Sequence, residues 1–164
     1  MSKRFFASIC AVAGLATSGC LDGTTGPQCQ QVSTLVTGTS GDTVNTATGL
    51  RYIETQAGTG VAAFSCEVAT VTYVGALTNG NVFDQSPTGG YAFIPGASQV
   101  IPGFEQGVVG MKVGGSRRLI IPASLGYGPN DQVDRSTNPP TVVIPGNSTI
   151  VFDVTLLAAT QPAD

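Results

Sequence analysis

Val100-Ile101-Pro102-Gly103-Phe104-Glu105-Gln106-Gly107-Val108-Val109-Gly110-Met111-Lys112-Val113-Gly114-Gly115 is the stretch on which the fold turns. Pro102 can open a helix, because the first helical turn does not need the N–H that proline lacks. Val100, Ile101, Phe104 and Val108 then fall one to four residues apart and form a single apolar face. Gly110 follows the last turn, where a left-handed cap is expected. The spacing predicts a helix of about two turns, too short to persist alone in water. Other elements must clasp it, and the rest of the chain supplies strands.

Leu50 to Glu54 alternates and reads as a strand before a Gly58/Gly60 turn. Val68 to Leu77 is a longer strand, with Ala69, Val71, Tyr73 and Leu77 on one face and Thr70 and Thr72 on the other. Asn79-Gly80 is a strong hairpin signal, and Val82-Phe83-Asp84 returns from it. Ser86 to Gly90 is an irregular excursion, and Tyr91 to Ile94 a further short strand. After the helix, Gly115 to Ile121 is a strand with Leu119 and Ile121 on one face. Ser148 to Leu157 closes the domain, with Ile150, Phe152, Val154 and Leu156 inward. Strands, one short helix, then strands predict an α+β fold: an antiparallel half-barrel sheet of five to six strands wrapped around one short helix. The domain is expected over residues 48–158, with a tail at 159–164.

The chain has 164 residues, enough for one domain plus extensions. Charged residues make up only 10%, and the net charge is −3. The sole cationic pair within the predicted domain, Arg117-Arg118, reads as two faces of one strand: one exposed side chain and one pairing partner. Nucleic acid is therefore not expected as a partner. The chain has no His, which removes the commonest general base and metal ligand. No CxxC, no Ser at a strand-to-helix elbow and no phosphate-cradling glycine loop is present, so neither a metal nor a cofactor is expected.

The amino terminus reads as a targeting segment. Lys3-Arg4 precedes an apolar run from Phe5 to Ala16, too short for a permanent membrane span. It runs into Thr17-Ser18-Gly19-Cys20, which resembles a bacterial lipobox, with Thr17 where Leu is usual. Residues 1–19 are read as a lipoprotein signal peptide and Cys20 as the lipidated first residue of the mature chain; plain secretion and a retained anchor are the alternatives. Residues 20–47, rich in Gly, Thr, Ser and Gln, read as a tether with one short strand at Val32–Val36. The expected location is the cell envelope, periplasmic or surface-facing, on a lipid anchor, and a monomer is the default. Of four cysteines, Cys29 and Cys66 remain after Cys10 and Cys20; in an oxidising compartment they either form a disulfide or stay as two free thiols.

Six blocks then occur in one order: Val71-Thr72-Tyr73-Val74-Gly75; Val82-Phe83-Asp84; Val100-Ile101-Pro102-Gly103-Phe104-Glu105; Met111-Lys112-Val113-Gly114-Gly115; Gly126-Tyr127-Gly128; and Val143-Ile144-Pro145 leading to Val151-Phe152-Asp153-Val154. Over residues 48–158 the chain resembles the FKBP family of peptidyl-prolyl cis-trans isomerases. The resemblance implies a proline-binding pocket lined by Tyr73, Phe83, Tyr91, Val100, Ile101, Tyr127, Val143, Ile144 and Phe152, with Phe104 as its floor and Asp84 at the rim beside Tyr127. It implies catalytic roles for Tyr73, Phe83, Asp84, Ile101, Tyr127 and Phe152. The Ile101 N–H and the Tyr127 hydroxyl would hold substrate carbonyls. Proline-containing polypeptides are the implied partners and macrolide inhibitors the implied ligands. Two departures stand out. Phe104 replaces the family's usual Trp, and the 128–142 segment is longer than usual, carrying Asp131, Asp134, Arg135 and Asn138-Pro139-Pro140. The expected function is isomerisation that assists folding of exported proteins; a proline-peptide-binding holdase without turnover is the alternative.

Overall fold

The computed structural model describes residues 41–160. Nine strands and one α-helix follow in chain order: β1 (Thr43–Asn45), β2 (Arg51–Gln56), β3 (Val68–Leu77), β4 (Val82–Gln85), β5 (Tyr91–Phe93), α1 (Pro102–Val108), β6 (Ser116–Ile121), β7 (Gln132–Asp134), β8 (Thr141–Ile144) and β9 (Ile150–Thr160). Seven strands form one sheet in the order β1-β2-β6-β9-β3-β4, with β5 also on β3. Every pairing is antiparallel. β9 occupies one side of β3 along its whole length, so β4 and β5 share the other side, opposite Val74–Ala76 and Val71–Ala69. They are two halves of one edge strand, interrupted by the Ser86–Gly90 excursion. β7 and β8 form a separate hairpin within the long loop.

The predicted α+β architecture is present, with differences at its margins. β1 pairs with β2 inside the stretch read as tether, which extends the sheet to seven strands. β9 runs to Thr160 because its register shifts opposite Thr70/Val71. Ile150, Phe152, Val154 and Leu156 are buried as expected; the shift leaves Leu157 without a partner and turns Ala159 inward. The signal peptide, Cys20, Cys29 and the Val32–Val36 strand lie outside the described residues. Cys66 is disulfide-bonded.

The helix is seven residues long, with Pro102 in its first turn and Phe104 and Val108 buried. Its close contact with β6 depends on two glycines. A Cβ on Gly103 would strike the Ile121 side chain, and one on Gly107 the Leu119 side chain. Spaced four apart, they put a bare backbone face against the sheet. Gly110 has φ +81°, but not as a helix cap. Val109 has already left the helix at φ −57°, ψ 131°, and Met111 N–H donates to Val108 O at 3.0 Å. Gly110 thus occupies the third position of a type II turn, which demands positive φ.

Arg117 departs furthest from the sequence reading. Arg118 is exposed and makes two hydrogen bonds to Asp153, of 2.7 and 2.8 Å. Arg117 points inward and is only 4% exposed. It donates to Gly107 O at 2.8 Å and Val109 O at 3.4 Å, lies 3.7 Å from Glu54 Oε1, and sits 4.2 Å over the Tyr52 ring. Burial lowers its pKa, opposed by Tyr52 and Glu54. A buried cation on the last carbonyls of α1 complements the negative end of the helix and ties it to β6.

Because Leu119 is fully buried, a branched side chain at Gly107 has nowhere to go. Gly107→Val is expected to destabilise the domain by about 1–3 kcal/mol through overpacking. The urea unfolding midpoint against wild type is the measurement.

Candidate active site

The concave side of the sheet and α1 enclose an aromatic cluster. Phe104, from the helix, meets Phe152 of β9 at 5.2 Å between ring centres, Tyr73 of β3 at 5.4 Å and Phe93 of β5 at 5.6 Å. Tyr73 meets Phe152 at 5.7 Å and Tyr91 at 6.3 Å. Apart from the tilted Phe93 contact, these rings meet edge to face, which suits their quadrupoles. Gly75 pairs with Phe152 across the strands, and a Cβ there would lie 2.6 Å from the Phe152 ring and 3.0 Å from Phe83. That glycine is what lets both rings approach the sheet so closely at this point. Sequence reasoning missed it, although a lone glycine inside a strand pattern signals such a close approach.

Above the rings opens a cavity of about 460 Å³. Tyr73, Asp84, Tyr91, Val100, Ile101, Phe104, Tyr127 and Phe152 line it, together with Ser98 and Gln99. Eight of the residues expected from sequence therefore converge on one space. Three do not line it. Phe83 stands behind the wall, edge-on to Phe152 at 5.6 Å and to Tyr127 at 6.1 Å. Val143 and Ile144 are consecutive on β8, so their side chains diverge: Ile144 is buried in the core and Val143 is 40% exposed. Ser98 and Gln99 were not anticipated, since Gly96-Ala97-Ser98-Gln99 reads as an ordinary turn.

The floor is apolar and the rim is polar. The Tyr73 hydroxyl donates to Asp84 Oδ2 at 2.9 Å, and Asp84 Oδ1 accepts the Gln85 N–H at 2.8 Å. Ser86 clasps the Tyr73 backbone: its Oγ accepts the Tyr73 N–H at 3.1 Å and its N–H donates to Tyr73 O at 2.9 Å. Burial, then the hydrogen bond to Asp84, pushes the Tyr73 phenol up to about 12. Burial, then the Asp84 charge, also raises Tyr127. Both phenols therefore keep their protons at neutral pH. Tyr127 is held by the 3₁₀ turn Ala123–Leu125, whose Ala123 carbonyl accepts the N–H groups of Gly126 at 3.0 Å and Gly128 at 2.9 Å. The Tyr127 hydroxyl and the Ile101 N–H have no hydrogen-bond partner among the described residues. Pro102 after Ile101 opens the helix, and the Ile101 carbonyl accepts from Phe104 and Glu105. The wall thus presents two donors over an apolar floor, and the carboxylate among the lining residues, Asp84, has both oxygens engaged, by the Tyr73 hydroxyl and the Gln85 N–H.

A half-barrel closed on one short helix, with an aromatic cup between them, defines a class of small binding domain. The sequence pattern of the FKBP-type peptidyl-prolyl cis-trans isomerases matches residues 62–157, and the chain belongs to that family. It is 43% identical over 118 residues to FK506-binding protein 4 of Dictyostelium discoideum, covering 72% of this chain and 30% of that one. Among solved structures it is similar to FkpA from Escherichia coli, at 36% identity and a TM-score of 0.58, covering 73% of this chain and 52% of that one. It is similar to AtFKBP13 at 30% identity and a TM-score of 0.63, covering 71% of this chain and 98% of that one.

The raised Tyr73 value carries a pH dependence of known sign. A phenol harder to ionise when folded adds stability that is whole below the unfolded value near 10. That contribution is lost as pH rises toward about 12. The stability gap between wild type and Tyr73→Phe should therefore narrow between pH 9 and 11.5, read as the difference in urea midpoints; a constant gap would contradict the assignment.

Proposed function

We propose that this chain catalyses cis–trans isomerisation of X–Pro bonds in the aromatic cavity. The observation that carries the reading is the pair of unpartnered donors, the Ile101 N–H and the Tyr127 hydroxyl, set over an apolar floor. Amide resonance gives the bond a barrier of about 18–20 kcal/mol and separates charge between oxygen and nitrogen. An apolar cup disfavours that separation, and the twisted state has less of it. The planar ground state therefore loses more on leaving water than the twisted one does. The two donors fix carbonyls beside the turning bond, so rotation is guided rather than free. No proton moves, which suits a site built of neutral phenols. Each 1.4 kcal/mol of differential stabilisation gives about tenfold in rate.

In this proposal Phe104, Phe152 and Tyr91 form the cup for the proline ring and Val100 its side wall. Asp84 holds Tyr73 in place, and Phe83 backs Tyr127 and Phe152. Proline-containing polypeptides are the substrates, and macrolides of the kind named for the Dictyostelium relative are the inhibitors. Export and lipidation at Cys20 complete the reading, supported by the basic, apolar and small-residue pattern of residues 3–20. They place a monomeric domain on a tether, where it assists folding of exported chains. The Cys66 disulfide suits an oxidising compartment, with Cys29 as its proposed partner.

A second reading has its own observation. Val133 and Val142 are paired across β7 and β8 and are 39% and 47% exposed. Together they offer unfolded chains an apolar surface, as a holdase would.

A protease-coupled proline-peptide assay tests the first reading. Tyr127→Phe, which removes one donor, should lower kcat/KM about three- to tenfold with the unfolding midpoint near wild type. Asp84→Val, which frees the Tyr73 ring, should lower it by a similar factor. Turnover at the uncatalysed level in folded wild type, with suppression of aggregation of a proline-free client, would establish the holdase instead. Mass spectrometry of membrane fractions from bacteria expressing the full chain tests the anchor: wild type should carry acyl mass on Cys20, and Cys20→Ala should remain an unacylated precursor.

A further inference from the structure

Gln99 lies at the cavity rim and is exposed, yet its side chain is not free to turn. The Ile94 N–H donates to its Oε1 at 2.9 Å. A backbone N–H can be accepted only by the carboxamide oxygen, so chemistry fixes which way this amide faces. The Ile94 carbonyl meanwhile accepts the Ala97 N–H at 3.1 Å. Both polar groups of Ile94 thus close the Ile94–Gln99 turn on itself. Ser98, just before Gln99, takes φ +54° to make the closure. The consequence is a carboxamide with its oxygen engaged and turned toward Ile94, and its NH₂ group without a partner among the described residues.

We propose that Gln99 is a specificity residue: its Nε2 donates to acceptor side chains, carboxylate or carboxamide, on the residues flanking the substrate proline. This rests on the isomerase reading of the cavity and goes beyond it. Ile101 and Tyr127 address backbone carbonyls, which every polypeptide carries, so they cannot distinguish one sequence from another. A donor at the rim, fixed in orientation before substrate arrives, can. Asp84 is the charged group among the other lining residues, and its carboxylate disfavours acidic side chains. The absolute preference is therefore a contest between the two. The change on altering Gln99 alone isolates its part.

Two substitutions separate the donor role from a purely structural one. In Gln99→Glu one carboxylate oxygen still accepts the Ile94 N–H, while the free end becomes a negatively charged acceptor. In Gln99→Met both the turn closure and the donor are lost at similar length. The substrates are two proline-peptide series, with Glu, Gln, Lys or Leu either before or after the proline. Each is measured by kcat/KM and by equilibrium binding to the full purified chain. For at least one flank, the Glu-to-Lys ratio should fall about three- to tenfold in Gln99→Glu, carried by KM or Kd rather than kcat. Gln99→Met should lower affinity for the Glu and Gln peptides more than for Leu. If the ratios in Gln99→Glu match wild type on both flanks, or if Gln99→Met weakens all peptides equally, Gln99 only closes its turn and the proposal fails. The binding ratios decide this whether or not the wild type turns over. Absence of turnover alone counts against the isomerase reading and not against Gln99.

Discussion

A seven-residue helix has too few internal hydrogen bonds to survive in water, so everything at this site depends on how closely the sheet holds α1. Two features set that distance. Gly103 and Gly107 present bare backbone to Ile121 and Leu119, and Arg117 reaches up from β6 to the carbonyls where the helix ends. Glycine inside a helix costs about 1 kcal/mol relative to alanine, and burying a guanidinium costs more. The sequence accepts both penalties at one contact. What they secure is the position of Phe104, one residue beyond Gly103, and of Ile101, the N-cap two residues before it. A helix displaced outward by one methyl group would withdraw Phe104 from Phe152 and tilt the Ile101 N–H. Fold and site share this one constraint.

The aromatic cluster solves a second problem, which is how to keep an apolar cavity open beside a close-packed core. Unsupported rings around a space would rotate to fill it. Here each ring is fixed by a neighbour it meets edge-on or by a polar tie at its tip. Phe152 touches Phe104, Tyr73 and Phe83 at once. Tyr73 is tied at its hydroxyl by Asp84 and along its backbone by Ser86. Gly75 keeps the sheet beneath them free of side-chain bulk. The floor is consequently rigid before any ligand arrives, so little ordering remains to be done on binding.

The parts of this arrangement that could be read from the sequence are those governed by a single local rule. β3 and β9 alternate strictly over their buried stretches, and α1 begins with a proline, so their places and faces followed from periodicity. Seven of the cavity residues followed from the ordered blocks they sit in, and Tyr91 from the wider resemblance. What escaped notice depends on contacts between distant segments. β1 is only three residues long, too short to signal a strand until β2 offers it an open edge. Arg117 falls on the inward face by alternation, but its burial makes sense only once the helix carbonyls above it are placed. Val143 and Ile144 were read as a pair, whereas the pleat sends one to the core and one to solvent. Gln99 looks like a solvated turn residue until its oxygen is seen to close on Ile94.

The replacement of the usual Trp by Phe104 sharpens the division of labour within the cavity. A phenyl ring on the floor offers no N–H, so every hydrogen-bond donor that a substrate meets lies on the wall or rim. The Phe104 ring is held from three sides, edge-on by Phe152 and Tyr73 and tilted against Phe93. The floor then works by excluding water, an effect that scales with apolar surface and is indifferent to substrate sequence. In the proposed reading, orientation and choice fall to the wall and rim, where the Ile101 N–H, the Tyr127 hydroxyl and the Gln99 amide stand at separate points. A site organised in this way can change its substrate preference at the rim without disturbing the packing that keeps the helix in place.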